Sequence, residues 1–194
     1  MAKKLFDRRA VLEQAMNLFW QAGYGACSIQ QLSRATGLQA GSLYHEFGSK
    51  EMLFREAIEC YALVSQQRIE ETLSSADNVV EGIARLLNLV ISQTKAGEYC
   101  SCFLIKTQLE LSSLDPELSA LATEKLQLNE AAYRKGLEQA FPPEEASLMA
   151  KQVMMAVFAI RVYGYQSNSQ DVMFETVRSM IPWLPDNFGK AQSS

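Results

Sequence analysis

The sequence predicts an all-α chain, with a small three-helix N-terminal domain at residues 1–48 and a larger helical domain at 49–194. Three observations carry this. Apolar residues recur at helical spacing along most of the 194 residues, and no alternating strand pattern is present. Helix-start signals stand between the apolar stretches. Two short helix patterns, Ser28–Ala35 and Gln39–Phe47, are separated by three residues centred on Gly37. A hydrophobic share of 48% is enough to build a core at this length.

In chain order, residues 7–23 form an amphipathic helix through Val11, Ala15, Leu18 and Phe19, ending at the glycines of A-G-Y-G. Ser28 caps the first short helix, because its hydroxyl accepts one of the orphan amide protons there. Ile29 and Leu32 share a face with Ala35 near them, and small Ser33 leaves room for a second helix to cross. Gly37 sits where the chain turns sharply and is expected at positive φ. Leu38, Leu43 and Phe47 point back into the same small core. Ser49 caps a long helix to about Ser74, and further helices are expected at Asp77–Ala96 and Cys102–Ser112. Asp115-Pro116-Glu117 opens one to about Ala140, and Pro142-Pro143-Glu144-Glu145 opens one to Tyr165. A last helix runs from Asp171 to Ile181 before Pro182, and Trp183 and Leu184 are expected to dock in an otherwise irregular tail.

Two short helices joined by a tight turn, the second with a polar outer face, are the pattern of a helix-turn-helix, which lays that second helix in a DNA major groove. Gln39, Ala40, Ser42, Tyr44 and His45 are left outside, small and polar groups of a size to enter a groove. The charge is divided accordingly. Residues 1–55 carry seven Lys/Arg against four Asp/Glu, a balance of +3, while the remainder carries eleven against eighteen, a balance of −7. Positive field therefore lies where phosphates would lie, and the acidic remainder repels them. A double-stranded operator is the expected partner. Tyr44 and Lys50 are expected on phosphates, Gln39, Ala40, Ser42 and His45 nearer the bases, and Ser28 at the head of the first short helix.

From Arg9-Ala10-Val11-Leu12 through Leu18-Phe19, Gly23-Tyr24, Ser28-Ile29, Leu32, Gly37-Leu38, Gly41-Ser42-Leu43-Tyr44, Phe47 and Lys50-Glu51, the chain resembles the TetR family of one-component transcriptional regulators. The resemblance implies a cytoplasmic homodimeric repressor that leaves a palindromic operator when an effector binds or modifies it. One position departs from the family pattern: Glu46 stands where an aromatic or His often meets phosphate, and its charge would repel phosphate.

The helix at 143–165 is apolar around much of its circumference, more than one packed face explains. The resemblance implies that its outer face pairs across a two-fold axis, which assigns Val153, Val157, Ile160, Tyr163 and Gly164 to a dimer interface. A fully buried helix in a monomer is the alternative. Duplication also suits a reading helix that contacts few bases alone.

Two sensing modes are open. Cys102 begins a helix, where amide protons favour a thiolate, and Y-C-S-C-F-L resembles the G-C-L-L stretch of electrophile- and oxidant-sensing TetR regulators, which implies a one-thiol switch at Cys102. A buried packing cysteine is the plainer reading. Cys100, its near neighbour, would make a strained disulfide with it, and Cys27 and Cys60 read as packing residues. The competing mode is a reversible small-molecule pocket lined by Phe103, Gln108, Tyr133, Met154, Met155, Phe158, Arg161 and Tyr165. There Arg161 meets an anionic ligand or pairs with an acid such as Glu110.

Enzyme chemistry is disfavoured. The single histidine, His45, lies in the reading helix, so no Ser-His-Asp or Cys-His set assembles, and the glycines are scattered at turns rather than gathered in a phosphate loop. A thiol enzyme, or a helical adaptor binding protein through the same motif, are the alternatives. No metal and no cofactor are expected, with one histidine and no paired C-x-x-C. No apolar run approaches the roughly 18 residues of a membrane span, and M-A-K-K-L-F-D-R-R lacks a secretory leader's apolar core, so neither membrane nor export is expected.

Overall fold

The computed structural model describes residues 6–94, 101–166 and 170–189. The fold is all-α. Its helices are α1 (Arg8–Ala22), α2 (Ile29–Thr36), α3 (Ala40–Phe47), α4 (Lys50–Ser75), α5 (Val79–Ser92), α6 (Phe103–Leu111), α7 (Pro116–Leu137), α8 (Pro143–Tyr163) and α9 (Gln170–Met180). Local chemistry explains where they start. Asp7 accepts from the Arg9 and Ala10 amides, Ser28 and Gln31 form a reciprocal capping box, the Ser49 hydroxyl accepts from Met52 N at 3.0 Å, and Asp115 accepts from Leu118 N at 3.1 Å. Gly37 ends α2 at φ 69°, the left-handed turn expected of it.

Some boundaries move. α5 starts later than Asp77 because the Asn78 side chain, accepting from Glu81 N at 3.0 Å, is its cap, and it ends at Ser92 with Gln93 and Thr94 in a turn, short of the expected Ala96, which lies outside the described residues. Thr36 rather than Ala35 is buried at the end of α2, its hydroxyl donating to Leu32 O at 2.7 Å.

Two compact units form, residues 1–64 with 103–125 and residues 65–102 with 126–194. This partition falls within α4 and α7, and the boundary expected at 48/49 coincides with the end of α3. The first unit is centred on an aromatic cluster: Phe54 meets Phe19 edge-on at 4.8 Å, Tyr24 at 4.7 Å and Phe103 at 5.4 Å, and Phe103 meets Tyr61 at 5.7 Å. In the second, α5 packs on α8 and α9 through Ile83, Leu87, Ile91, Val153, Ile160 and Met173, and Leu184 and Trp183 dock as expected, the indole donating to Gln152 Oε1 at 2.7 Å. The expectation that nothing reaches membrane-span length needs correction: α8, at 21 residues, is long and apolar enough by composition, because Ala, Val and Met are spread around it rather than gathered in one run. Its Ala146, Ala150, Val153, Ala156 and Ile160 are buried in the second unit's core.

Candidate nucleic-acid interface

Leu43 and Phe47 bury the back of α3 against the first unit, which turns Gln39, Ser42, Tyr44 and His45 outward, with Ala40 half-buried between them. Gln39 occupies the cap position of α3 but its side chain makes no capping hydrogen bond, so nothing in the helix start requires its amide. Ser28 is the reverse. Its hydroxyl is used in the capping box, and its exposed position at the start of α2 leaves the helix N-terminus facing outward.

Lys50 is bound within the head. Its Nζ donates to Tyr24 O and Cys27 O, each at 2.8 Å, and lies 4.3 Å from the Tyr24 ring centre, which ties the start of α4 to the α1–α2 turn. Burial, together with Glu51, pushes the Tyr24 hydroxyl above its ordinary pKa.

Glu46 has a partner that sequence reasoning missed. Arg8 Nε donates to Glu46 Oε1 at 2.8 Å, Arg8 Nη2 lies 2.8 Å from the Glu56 carboxylate, and the guanidinium sits 4.7 Å over the Phe47 ring. One arginine thus joins α1, α3 and α4. The Glu56 hydrogen bond, against some desolvation and with help from Glu46, holds its pKa above the ordinary value.

A second set of missed residues lies on α6. Lys106 Nζ donates to Trp20 O and Gln21 O at 2.5 and 3.3 Å, satisfying carbonyls at the C-terminal end of α1. One turn later, Glu110 accepts from Tyr24 N at 3.1 Å and Gly25 N at 2.8 Å. Gly23, at φ 87°, makes this possible, since a Cβ there would lie 2.7 Å from a Glu110 oxygen. α6 therefore clasps the entry to the helix-turn-helix through two charged side chains at i, i+4 spacing. No local signal in the sequence marks either contact.

Comparison with known proteins bears on these helices. The profile of bacterial regulatory proteins, tetR family, matches residues 11–57, which run from α1 into α4. The repressor ComR of Escherichia coli (strain K12) is 36% identical over 142 residues, 70% of this chain and 64% of ComR. A cysteine mutant of the TetR family regulator CifR, complexed with 26-base-pair double-strand operator DNA, superposes with a TM-score of 0.75 at 26% identity, over 95% of this chain and 100% of CifR. The chain belongs to the TetR family. The reduced form of Escherichia coli NemR shares the fold at 20% identity, TM-score 0.74, over 92% of this chain and 98% of NemR. The chain spans less than two thirds of ComR's length.

Within this TetR fold, the residues expected to sense an effector belong partly to each unit. Phe103 belongs to the first unit's aromatic core, and Gln108 donates to Thr123 Oγ1 at 2.8 Å. Tyr133 and Met154 are buried in the second unit, Phe158 is half-buried, and Met155 and Tyr165 are exposed, so those two do not line an interior pocket. Burial pushes the Tyr133 hydroxyl far above its usual range, with Arg161 opposing and Cys102 adding. Arg161 does not pair with Glu110: its Nη2 donates to Gln93 Oε1 at 2.7 Å, and Glu110 serves the α1–α2 turn. Cys102 immediately precedes α6 and is 8% exposed. Cys27 is buried as expected and Cys60 half-buried, both thiols pushed up chiefly by desolvation; Cys100 lies outside the described residues.

The residues expected at a dimer interface lie on α8 and directly after it. Val153, Ile160 and Gly164 are buried in the chain's own core and Val157 is half-buried, so of the five expected residues only Tyr163 is exposed. An outward apolar stripe on α8 runs through Leu148, Met155, Ala159 and Val162, and on α9 Val172 and Met180 are exposed. Leu148, Met155 and Val162 are spaced seven residues apart, which keeps them on one side of the helix.

Proposed function

We propose that the chain is a cytoplasmic transcriptional repressor that binds a palindromic operator as a homodimer, with residues 1–48 as reading head and 49–194 as regulatory and dimerisation part. The outward polar face of α3 over the buried Leu43 and Phe47 carries this reading. Gln39, Ala40, Ser42 and His45 then face bases, and Tyr44, Lys50 and the α2 start at Ser28 face the backbone. Lys50 has one donor direction left for a phosphate after holding Tyr24 and Cys27, so it positions as much as it neutralises. Gln39→Ala tests the groove assignment cleanly, since its side chain caps nothing. It is expected to cost about 1–3 kcal/mol of discrimination at one base pair per half-site, leaving the salt dependence unchanged. Tyr44→Ala is expected to weaken binding to all sequences alike. Competition binding with single-base operator variants measures both, and equal preference before and after the Gln39 change would contradict the assignment.

Release follows from a small-molecule effector or from modification of Cys102, and α6 gives either event a route. Cys102 abuts the first turn of the helix whose Lys106 and Glu110 hold the α1 end and its turn. Only the difference in DNA affinity between modified and free conformers drives release, so a hundredfold weakening needs about 2.7 kcal/mol of bias. Cys102→Ser is expected to bind DNA normally and to keep its operator when treated with a small uncharged electrophile, whereas the native chain lets go. Mass spectrometry after limiting alkylation, with DNA binding on the same samples, decides it. Release that persists in Cys102→Ser, or a Cys102 unlabelled in the folded chain, would leave the reversible effector as the mode of release.

A further inference from the structure

We propose that Arg8 is a positioning residue for DNA binding, one that covers the charge of Glu46 at the edge of the reading helix rather than holding a phosphate itself. The inference rests on α3 being the groove helix. Glu46 is the one acid between Gln39 and Gly48 and follows Tyr44 and His45, both exposed. A carboxylate there meets the dense negative charge of a duplex, which repels it at every sequence. Arg8 answers that charge in a fixed pose. Its Nε is on Glu46 Oε1 at 2.8 Å, its Nη2 is anchored by Glu56 on α4, and its flat face rests on Phe47 at 4.7 Å, so two donor groups and one face of the guanidinium are engaged inside the head. An ion pair this exposed, with the Arg8 side chain at 47% and Glu46 at 28%, contributes little to folding. Its value lies in the field presented to DNA. The trio of Arg8, Glu46 and Glu56 carries one net negative charge with the arginine and two without it.

A cycle of variants separates this role from the two others open to an arginine. Arg8→Met keeps an unbranched apolar side chain beside Phe47 and removes the charge together with the hydrogen bonds to Glu46 and Glu56. Binding to the selected operator and to an unrelated duplex, read by anisotropy at about 0.15 M salt, is expected to weaken about tenfold on both in Arg8→Met. Glu46→Gln in the native background stays within about twofold, because its charge is already covered, and Arg8→Met/Glu46→Gln regains all but about threefold. Arg8→Lys, which keeps a charge beside Glu46, stays within about threefold of native. No recovery in the double variant would mean that Arg8 meets a phosphate directly, and equal losses in both single variants would mean that the pair only holds α3 in place. Either overturns the proposal, as does an Arg8→Lys loss as large as that of Arg8→Met. Gln39→Ala on the same duplexes keeps the groove reading apart: if it alters base preference while Arg8→Met changes nothing, the covering role alone falls, and if neither has an effect, both fall.

Discussion

Met155→Glu is expected to turn a dimer into a folded monomer and to reduce operator affinity by about a hundredfold or more. Met155 is 67% exposed on α8, on the stripe it shares with Leu148 and Val162, so the chain's own core does not need it. In a two-fold interface the substitution enters twice, and an unpaired charge in a desolvated contact costs several kcal/mol. Sedimentation gives the state, and anisotropy gives the affinity. Ile160→Glu is the informative contrast, because at 3% exposure it puts the charge into the second unit's core and is expected to unfold the chain. A Met155→Glu protein that stays dimeric and binds normally would move the interface off α8.

Glu110→Ala is expected to have the second largest effect. Its carboxylate takes the Tyr24 and Gly25 amides, and removing both acceptor oxygens costs the fold about 2 kcal/mol, lowering the melting temperature by about 5 °C. The greater consequence is functional. With Lys106 alone left on α1, a shift of α6 no longer moves the turn that leads into α2, so DNA affinity is expected to become independent of the state of Cys102. Glu110→Gln keeps one acceptor oxygen and is expected to retain part of both properties. Electrophile titration of operator binding in the two variants reads this directly, and a native response in Glu110→Ala would remove the clasp from the route of release.

The helices and their starts were legible because the signals are local: Ser28, Ser49 and Asp115 sit within three residues of the amides they cap, and Gly37 within one turn of what it ends. The outward face of α3 was legible for the same reason, since Leu43 and Phe47 fix its phase. What was hidden lies far apart in sequence. Glu110 and the amides it holds are 85 and 86 residues apart, and Arg8 and Glu46 are 38 apart, so the sequence offered Glu110 only as a partner for Arg161 and left Glu46 as a charge facing phosphate with no partner named. α8 failed differently. Its inner row of Val153 and Ile160 and its outer row of Met155 and Val162 are both apolar at helical spacing, and periodicity alone cannot say which row faces the chain's own core. The reach of α8 toward membrane-span composition has the same origin.

Selection of bound DNA from a random pool by the purified chain tests the reading of α3 most directly. Two inverted half-sites at fixed spacing are expected, occupied by one dimer, with affinity falling steeply as salt rises and with Gln39→Ala relaxing one position in each half-site. A pool that enriches no sequence, or an enriched site whose base preferences survive Gln39→Ala unchanged, would contradict it.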